Sequence, residues 1–412
     1  MRSSRLFTGI AALTLLWSSS LSAQSTVETG TKVGLTIRGF ISATGFAQDQ
    51  PFAFGNGQSA EYPLPPQTTT DRWFGGGDVR NTRLGFVFDG PKVSEKWKVN
   101  GTLEADFFGG NNGTGAFAGQ QLVPRLRLAF VDLTDGRTTL RIGQQWAPLF
   151  GNFAVSLSHV AFPLGYGSAG DIGWRYPGIF LYRGLTAKDA KLTAELQFAV
   201  MAGSWNGPGS TTDSNTAGNA SFPQAELRFN VGKKLSNGSW GLYVVGHVDR
   251  KDLTGPNSTK PNDTITGSAA EFGAKLQAGA FMIQGNVYNG RSIGQHFGAI
   301  TQFQLAASTD AAKSEIQSTG GWAQVGYDLN KKWSLFAFAG MDDPKDADVL
   351  STVAAPTAAR LKNVMFNGML RWKSGPVAIG AEFMHVKLTT GAATGTTSTT
   401  GNQISLSTMY TF

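Results

Sequence analysis

The chain has 412 residues, of which 15% are charged, and its formal net charge is +7. The basic residues form no Lys/Arg-rich run, so no nucleic-acid partner is predicted. Cysteine is absent, which excludes a disulfide framework.

The first element in chain order is a predicted signal peptide over residues 1–23. It has a basic start, an apolar run over 6–17 and a small-residue finish. We expect 24–32 to form a short N-terminal segment and 33–412 to form the folded domain. An exported chain without disulfides needs another source of stability, and closing a β-sheet into a barrel is one such device.

The remaining chain has no apolar run of 18 residues that would predict a transmembrane helix. Instead, stretches of up to about ten residues alternate apolar and polar side chains, as strands of transmembrane barrels do. The clearest of them are 97–107, 226–231, 239–248, 271–279, 363–372 and 402–412. In the first stretch, Leu103 lies on the apolar face, while Glu104 and Asp106 lie on the polar face.

Short and long connections alternate between the predicted strands. Short turns are expected at 90–95, 134–137, 186–190, 233–238, 278–280, 330–332 and 373–376. Long polar stretches are expected at 47–80, 110–122, 146–177, 204–221, 250–268, 289–319, 341–360 and 389–402. These connections imply about 16 strands, so we predict an all-β transmembrane antiparallel barrel with short periplasmic turns and long extracellular loops.

Four tryptophans, Trp97, Trp240, Trp333 and Trp372, lie within a few residues of a short turn and on the apolar face of their strands. Aromatic residues at that height are typical of a membrane-interface belt. The alternative, ordinary core tryptophans of a soluble sandwich, explains burial but does not explain this placement.

A barrel in lipid must pair every backbone polar group, so its sheet closes and gains a lipid face and an inner face. We expect Leu103 and Leu126 to face lipid. The side chains expected to face a water-filled lumen in this region are Glu104, Asp106, Arg125 and Arg127.

Three consecutive stretches, LEADFFGG, PRLRLAFVDL and LRIGQQWAPLFG, resemble trimeric Gram-negative porins of the dicarboxylate (DcaP-like) type. In that group an acidic strand ending in phenylalanine, an Arg-x-Arg strand and a Gly-Gln-x-Trp segment follow in this order. The close resemblance covers about residues 80–150, where phosphate-selective porins are similar too. It implies a homotrimer in the bacterial outer membrane. The terminal aromatics Tyr410 and Phe412 resemble the signal that the outer-membrane assembly machinery reads in such proteins.

The segment after Trp146 is unusually apolar and aromatic for a surface loop, which suggests that it packs against the protein. The porin resemblance implies a constriction loop folded into the lumen, with Trp146, Phe150, Phe153, Asp171 and Trp174 in it. A folded extracellular lid or a part of the trimer contact remains an alternative.

Arginines supply the candidate selectivity residues. Arg125, Arg127 and Arg141 come from strands that flank one short turn, so we expect them side by side on the inner wall. We also place Arg38 and Arg175 at the pore. Guanidinium groups in a narrow passage favour anions, because their forked donors match carboxylate and phosphate oxygens.

A bracing role for the acidic residues is the alternative, in which Glu104 and Asp106 neutralise the arginines. Over the whole inner wall, the basic residues expected to point inward are about as numerous as the acidic ones. The bases expected to point inward are Arg38, Arg83, Lys98, Arg125, Arg127, Arg141, Arg228, Lys275 and Arg371. The acids expected to point inward are Asp89, Glu104, Asp106, Glu195, Glu226, Asp249, Glu271, Asp328 and Glu382. Local segregation of charge must therefore supply any selectivity.

The predicted function is passive diffusion of small hydrophilic solutes through a channel that prefers anions or organic acids, with outer-membrane lipid around it. A phosphate-selective porin is the alternative. No cofactor, metal or catalytic residue is predicted, because His159, His247, His296 and His385 are far apart in sequence. A barrel hydrolase would need a Ser/His or Asp/His constellation at one rim. An adhesin or plugged barrel would need more than the nine or so residues expected before Val33.

Overall fold

The computed structural model describes residues 25–28, 33–64, 72–110, 122–187, 189–203, 223–252, 264–302, 315–352, 359–392 and 395–412. The predicted signal peptide and the expected connection at 204–221 lie outside these residues. Within the described part of the chain, no helix is long and apolar enough to cross a bilayer.

The described residues form one antiparallel sheet of 18 strand segments. In chain order they are β1 (Ser25–Glu28), β2 (Gly34–Gln48), β3 (Phe74–Asp78), β4 (Arg83–Lys92), β5 (Lys98–Asp106), β6 (Arg125–Thr134), β7 (Thr138–Trp146), β8 (Arg175–Gly184), β9 (Leu192–Met201), β10 (Gln224–Leu235), β11 (Gly238–Asp252), β12 (Thr264–Ala278), β13 (Phe281–Arg291), β14 (Gln317–Asp328), β15 (Trp333–Pro344), β16 (Arg360–Ser374), β17 (Val377–Ala392) and β18 (Gly395–Thr411). The connections contain the α-helix Asp346–Thr352 and the 3-10 helices Gly57–Ser59, Gly294–His296 and Ala299–Thr301.

The sheet closes into a barrel because β2 pairs with β18 on one side and with β3 and β4 on the other. The segments β3 and β4 together form one wall position, since they pair with the two halves of β2. The short β1 also pairs with the start of β2. The closed ring therefore contains 16 strands, which confirms the predicted fold class.

The seam of the barrel lies at the end of the chain. The Phe412 backbone N–H donates to the Gly39 carbonyl at 3.0 Å, and the Gly39 N–H donates to the Phe412 carbonyl at 3.1 Å. A Cβ at residue 39 would lie 2.1 Å from the Arg83 carbonyl oxygen, so only glycine fits this close strand contact. The proposed assembly role of Tyr410 and Phe412 stays a prediction.

Every predicted short turn falls between two neighbouring strands, but two predicted long connections are wrong in part: 47–80 includes β3, and most of 389–402 is strand. Residues 389–392 and 395–402 belong to β17 and β18, in which Thr389 pairs with Ser398. The Gly/Ser/Thr-rich composition resembled a loop. Threonine, however, is β-branched and suits an extended strand.

The two faces of the barrel have opposite chemistry. Leu103 and Leu126, both predicted to face lipid, are 42% and 53% exposed on the outside. Polar residues such as Asn230, Gln324 and Glu382 are buried on the inside. A closed sheet with an apolar exterior and a polar interior is the arrangement that a bilayer requires.

The tryptophans of the predicted interface belt sit at the short-turn rim. Trp333 pairs directly with Trp372 across β15 and β16, and Trp240 pairs with Lys233 across β10 and β11. Trp97 immediately precedes β5. Their contact with the membrane interface stays a prediction.

The barrel wall is uneven in height. Strands β4 to β9 have nine or ten residues, whereas β10 to β18 have between 11 and 17. β2 and β4 to β18 reach the rim of short turns, so the difference in length appears at the opposite rim.

Candidate constriction of the barrel lumen

The connection between β7 and β8, residues 147–174, enters the barrel and is called the inward loop below. Backbone N–H groups of Leu149 and Val155 donate to Glu226 on β10 and to Gln324 on β14, each at 2.7 Å. The Asn152 side-chain amide donates to the Ala274 carbonyl on β12 at 3.0 Å. These contacts follow the inner wall from strand to strand, and they confirm the predicted inward fold.

Glu382 on β17 is the strongest single anchor of the inward loop. Its Oε1 accepts the backbone N–H groups of Leu157 and Ser158 at 2.8 Å, and its Oε2 accepts the Ser156 hydroxyl at 2.7 Å. Glu382 is only 3% exposed. A buried carboxylate with several donors directed at it fixes the loop backbone more strongly than neutral hydrogen bonds would.

The backbone of the inward loop also contacts the backbone of the wall directly, at a point where both residues are glycine. Gly170 has a φ of +88°, and a Cβ there would lie 2.2 Å from the Gly321 backbone nitrogen on β14. Both the conformation and the contact require glycine.

A second segment, residues 49–64, packs against the inward loop from the β2–β3 connection. The Ser168 hydroxyl donates to Glu61 at 2.9 Å, and His159 Nε2 lies 3.0 Å from the Ala60 carbonyl oxygen. Beside this segment, Asn81 donates to the Ser158 carbonyl at 2.7 Å.

A third segment, residues 292–302, enters the lumen from the β13–β14 connection. The Gly173 N–H donates to the His296 carbonyl at 2.7 Å. Ile300 has a φ of +51°, an uncommon conformation for a β-branched residue. Asp342 accepts its N–H at 3.2 Å, and Arg360 Nε donates to its carbonyl at 2.9 Å. The sequence predicts long polar connections over 47–80 and 289–319, and their polar composition does not indicate that this segment or 49–64 folds inward.

The three segments share an aromatic cluster inside the barrel. Trp146 stacks on Phe150 with a centroid distance of 3.8 Å, and Tyr166 stacks on Phe297 at 4.5 Å. The rings that belong to the cluster are Phe54, Tyr62, Phe108, Trp146, Phe150, Phe153, Phe162, Tyr166, Trp174 and Phe297. Phe153 is 46% exposed, which leaves part of its ring uncovered.

Arginines on β6 and β8 and at the β3–β4 corner face this aromatic cluster. Arg125 binds Asp106 through two hydrogen bonds of 3.0 and 2.7 Å. Arg127 donates to Asp106 at 2.7 Å and to Glu104 at 2.8 Å, and it is only 2% exposed. This pairing supports the bracing role considered for the two acidic residues.

A β-bulge brings Arg127 into the cluster. Across β5 and β6, Glu104 pairs with Leu128 while Ala105 pairs with Leu126, so Arg127 is the extra residue. Bulges re-aim side chains next to functional sites in many sheets.

Arg175 lies where the inward loop meets β8. It is 4% exposed, and its guanidinium carbon lies 4.8 Å and 4.4 Å from the ring centroids of Trp146 and Trp174. Its Nε and Nη1 have no hydrogen-bond partner among the described residues. Buried donors without an acceptor are rare in proteins and call for an explanation.

Two further arginines complete the group, which we call the arginine cluster. Arg80, which the sequence analysis missed, pairs with Asp78 at 2.7 Å and covers the Phe108 ring at 4.6 Å. Arg83 lies 3.6 Å from Glu104, but its Nε and Nη2 form no hydrogen bond within the described chain. The cluster contains Arg80, Arg83, Arg125, Arg127 and Arg175 with the acids Asp78, Glu104 and Asp106, so its net formal charge is positive.

The expectation that Arg141 would lie beside Arg125 and Arg127 is wrong. Arg141 pairs across the hairpin with Asp132, to which it donates at 2.7 and 2.8 Å, near the short-turn rim. The tight turn between β6 and β7 fixes this register. Arg38 is half-buried on β2, and Gly85 separates it from Glu104 across the sheet.

Another predicted inward arginine holds the loop instead of facing open space. Arg228 donates to the carbonyls of Pro148 and Phe150 at 2.8 and 3.1 Å. In the short-turn half of the barrel, by contrast, the inward side chains of Glu195, Lys275 and Arg371 are partly exposed. The loop segments thus narrow the other half of the lumen.

Asp171 is fully buried inside the inward loop, and neither carboxylate oxygen has a hydrogen-bond partner in the described residues. Burial raises the pKa of the Asp171 carboxyl well above its usual range, and Glu271 raises it further. The folded protein therefore retains a proton that the unfolded chain releases at about pH 4.

A pH-dependent stability follows from this proton. The contribution of Asp171 to the stability of the native fold is expected to fall as the pH rises above about 4, because the unfolded chain then ionises this carboxyl while the folded chain holds it protonated. Asp171→Asn is expected to increase the free energy of unfolding at pH 7 and to change it little at pH 3. Denaturant unfolding of the detergent-solubilised protein at both pH values checks this. An equal effect at both values would contradict it.

No protein-family description matches this sequence. No curated protein matches it either. Solved structures do: the outer membrane channel DcaP of Acinetobacter baumannii has a TM-score of 0.68 at 17% identity, over 94% of this chain and 100% of that one. An anion-selective porin from Comamonas acidovorans has a TM-score of 0.55 at 11% identity, over 92% and 100%. The in-vitro folded trimer form of OmpT from Vibrio cholerae has a TM-score of 0.53 at 12% identity, over 92% and 99%. The chain thus has the fold of outer-membrane porins.

Proposed function

We propose that this protein is an outer-membrane porin through which small hydrophilic solutes diffuse passively, with a preference for anions or organic acids. The closed barrel with an apolar exterior supports a place in the membrane. The partly exposed polar side chains in the short-turn half support a wet passage. The net positive arginine cluster beside the inward loop supports the preference for anions.

Arg175 is the observation that carries the anion preference. Its guanidinium is held between two indole rings, and two of its nitrogens have no acceptor among the described residues. An anion passing the constriction could accept these hydrogen bonds, whereas a cation would meet uncompensated positive charge. The forked donor geometry suits carboxylates and phosphates alike.

Removing this charge is the direct test. With Arg175→Gln, we expect the reversal potential in a salt gradient across a planar bilayer to shift toward the value of an unselective channel. Lys233→Gln is a matched control, because Lys233 is exposed on the outer face of β10. An unchanged reversal potential in the Arg175 variant, or an equal shift in the control, would contradict the proposed role.

A phosphate-selective porin is the second candidate, since guanidinium groups bind phosphate as well as carboxylate. Block of the ionic current by phosphate and by a dicarboxylate, compared at equal concentration, separates the two. A barrel hydrolase is less well supported. The Ser158 hydroxyl lies 2.9 Å from His159 Nδ1, but both residues are buried and His159 Nε2 faces the Ala60 carbonyl.

The proposed homotrimer would place part of the outer face against neighbouring copies. Small residues lie where β2 pairs with β3, in which Gly45 lies opposite Gly77 and Ala47 lies opposite Gly75, and the three glycines are exposed. The OmpT structure described above is a trimer form. Exposed small residues permit close contact between barrels, and outer-membrane lipid would cover the remaining apolar surface.

A further inference from the structure

Two of the four histidines, although distant in sequence, meet on the inner wall. His247 on β11 and His296 in the 292–302 segment have ring centroids 4.3 Å apart. Glu226 on β10 lies beside both: its Oε1 is 2.9 Å from His247 Nδ1 and 4.0 Å from His296 Nδ1. One potential ligand atom from each of the three residues lies within 4.8 Å of the others, and all three side chains are buried.

The outer nitrogen of each imidazole is held by a side-chain oxygen. His247 Nε2 lies 2.8 Å from Asp249 Oδ2, and His296 Nε2 lies 2.7 Å from Gln224 Oε1. Gln224 uses its amide nitrogen to donate to the Ala202 carbonyl at 2.9 Å, so its oxygen accepts from His296. In the neutral form of His296, Nδ1 then carries the lone pair that points toward Glu226.

The carboxylate is oriented as firmly as the imidazoles. Glu226 Oε2 accepts the Leu149 backbone N–H at 2.7 Å, which leaves Oε1 facing the two histidines. Metal-binding histidines in proteins characteristically donate their second N–H to a carboxylate or amide oxygen, and ligating carboxylates are themselves hydrogen-bonded. Each of the three residues here has such a support.

We propose that Glu226, His247 and His296 form a binding site for a divalent transition-metal ion of the zinc class. Two imidazole nitrogens and one carboxylate oxygen are a donor set that Zn²⁺ accepts, with a fourth position left for water. The distances of 2.9 and 4.0 Å from Glu226 Oε1 lie on either side of the separation between ligands of one tetrahedral ion. Small side-chain movements would make them equal. His247 would release its Nδ1 proton to solvent when the ion binds.

An ion at this site would join the narrowing segments to the wall. Glu226 already contacts the inward loop through Leu149, and the His296 carbonyl accepts the Gly173 N–H of the same loop at 2.7 Å. Neighbouring Phe297 stacks on Tyr166 in the aromatic cluster. Binding would therefore stabilise the folded positions of the inward loop and the 292–302 segment, since a ligand that binds only the folded state stabilises it.

The test is metal binding by the full chain in detergent, after removal of metals with a chelator. Because the ligands are buried, Zn²⁺ is added both to folded protein and during refolding, and affinity is measured by competition with a chromophoric chelator. Co²⁺ provides a second readout through its visible absorption in a site with nitrogen ligands. We expect His296→Gln and Glu226→Gln to weaken Zn²⁺ binding by at least about 100-fold, and Asp249→Asn to weaken it by about tenfold.

His385→Asn is the matched control, because His385 pairs with Asn402 on β18 and lies outside the cluster. Equal Zn²⁺ affinities for the native protein, the His296 variant and this control would overturn the proposal. The metal-free network, in which His247 simply bridges two carboxylates, would then be the correct description. Bilayer conductance of the native protein, measured with chelator present, keeps the two proposals separate, since a native protein that conducts but fails to bind added Zn²⁺ refutes the metal site alone.

Discussion

Replacing Glu382 with alanine is expected to detach the inward loop and to increase the single-channel conductance. The variant loses three hydrogen bonds to a buried carboxylate, from Ser156, Leu157 and Ser158. Hydrogen bonds to charged groups contribute about 1.5–3 kcal/mol each, so the attached state should lose at least about 3 kcal/mol relative to the detached one. Single-channel recording in planar bilayers measures the result, with greater current noise expected as the loop moves.

Glu195→Ala serves as the control for this experiment. Glu195 also faces the lumen, but the side chains that donate hydrogen bonds to it, Gln197 and Asn230, belong to the wall and not to the inward loop. Its removal should leave the loop in place and change the conductance little. Glu382 does not anchor the constriction if its variant has the single-channel conductance of the native protein. The same holds if the Glu195 variant shows an equal increase in conductance.

Replacing Asp106 with alanine is expected to be strongly destabilising. Its carboxylate is fully buried and pairs with Arg125 and Arg127 at 2.7 Å each. Removing one partner from a buried ion pair leaves uncompensated charge and costs about 3–5 kcal/mol. The free energy of unfolding in denaturant measures this cost. Channels that do assemble should prefer anions more strongly than native channels, because the positive charge of the arginine cluster increases.

Asp343→Ala provides the comparison for Asp106. Asp343 pairs with Lys362 at 2.8 Å, but the side chains are 39% and 43% exposed, respectively. Solvent screens such pairs, so this change should cost at most about 1 kcal/mol. A similar decrease in the free energy of unfolding for the Asp106 and Asp343 variants would show that the burial of Asp106 adds little to the stability that its ion pairs provide.

The strands could be predicted from the sequence because alternation is a local property. Leu103 and Leu126 are exposed outside, and Asp106 meets Arg125 inside, as two-residue periodicity requires. Strand ends were less predictable. Residues 389–392 and 395–402 are rich in small and polar residues, and only their pairing across the hairpin makes them strand.

The site was only partly predictable, because its assembly depends on register and on loops. The tight turn after β6 fixes Asp132 opposite Arg141, and counting outward from that turn would have shown the pair. The approach of Phe297 to Tyr166 and of His296 to His247 had no comparable local signal. The hint that the sequence offers is Phe297, an aromatic residue in a largely polar connection, which favours packing against the protein.

The unequal strand lengths have a consequence for how solutes arrive. A strand rises about 3.3 Å per residue, so a nine-residue strand has little length beyond what the hydrocarbon layer requires. The strands of 15 to 17 residues extend well past that layer. The rim opposite the short turns is therefore oblique: it is low at β4 to β9 and high at the strands of 15 to 17 residues. Solutes approaching over the low side would first meet β6 and β8, which bear Arg125, Arg127 and Arg175.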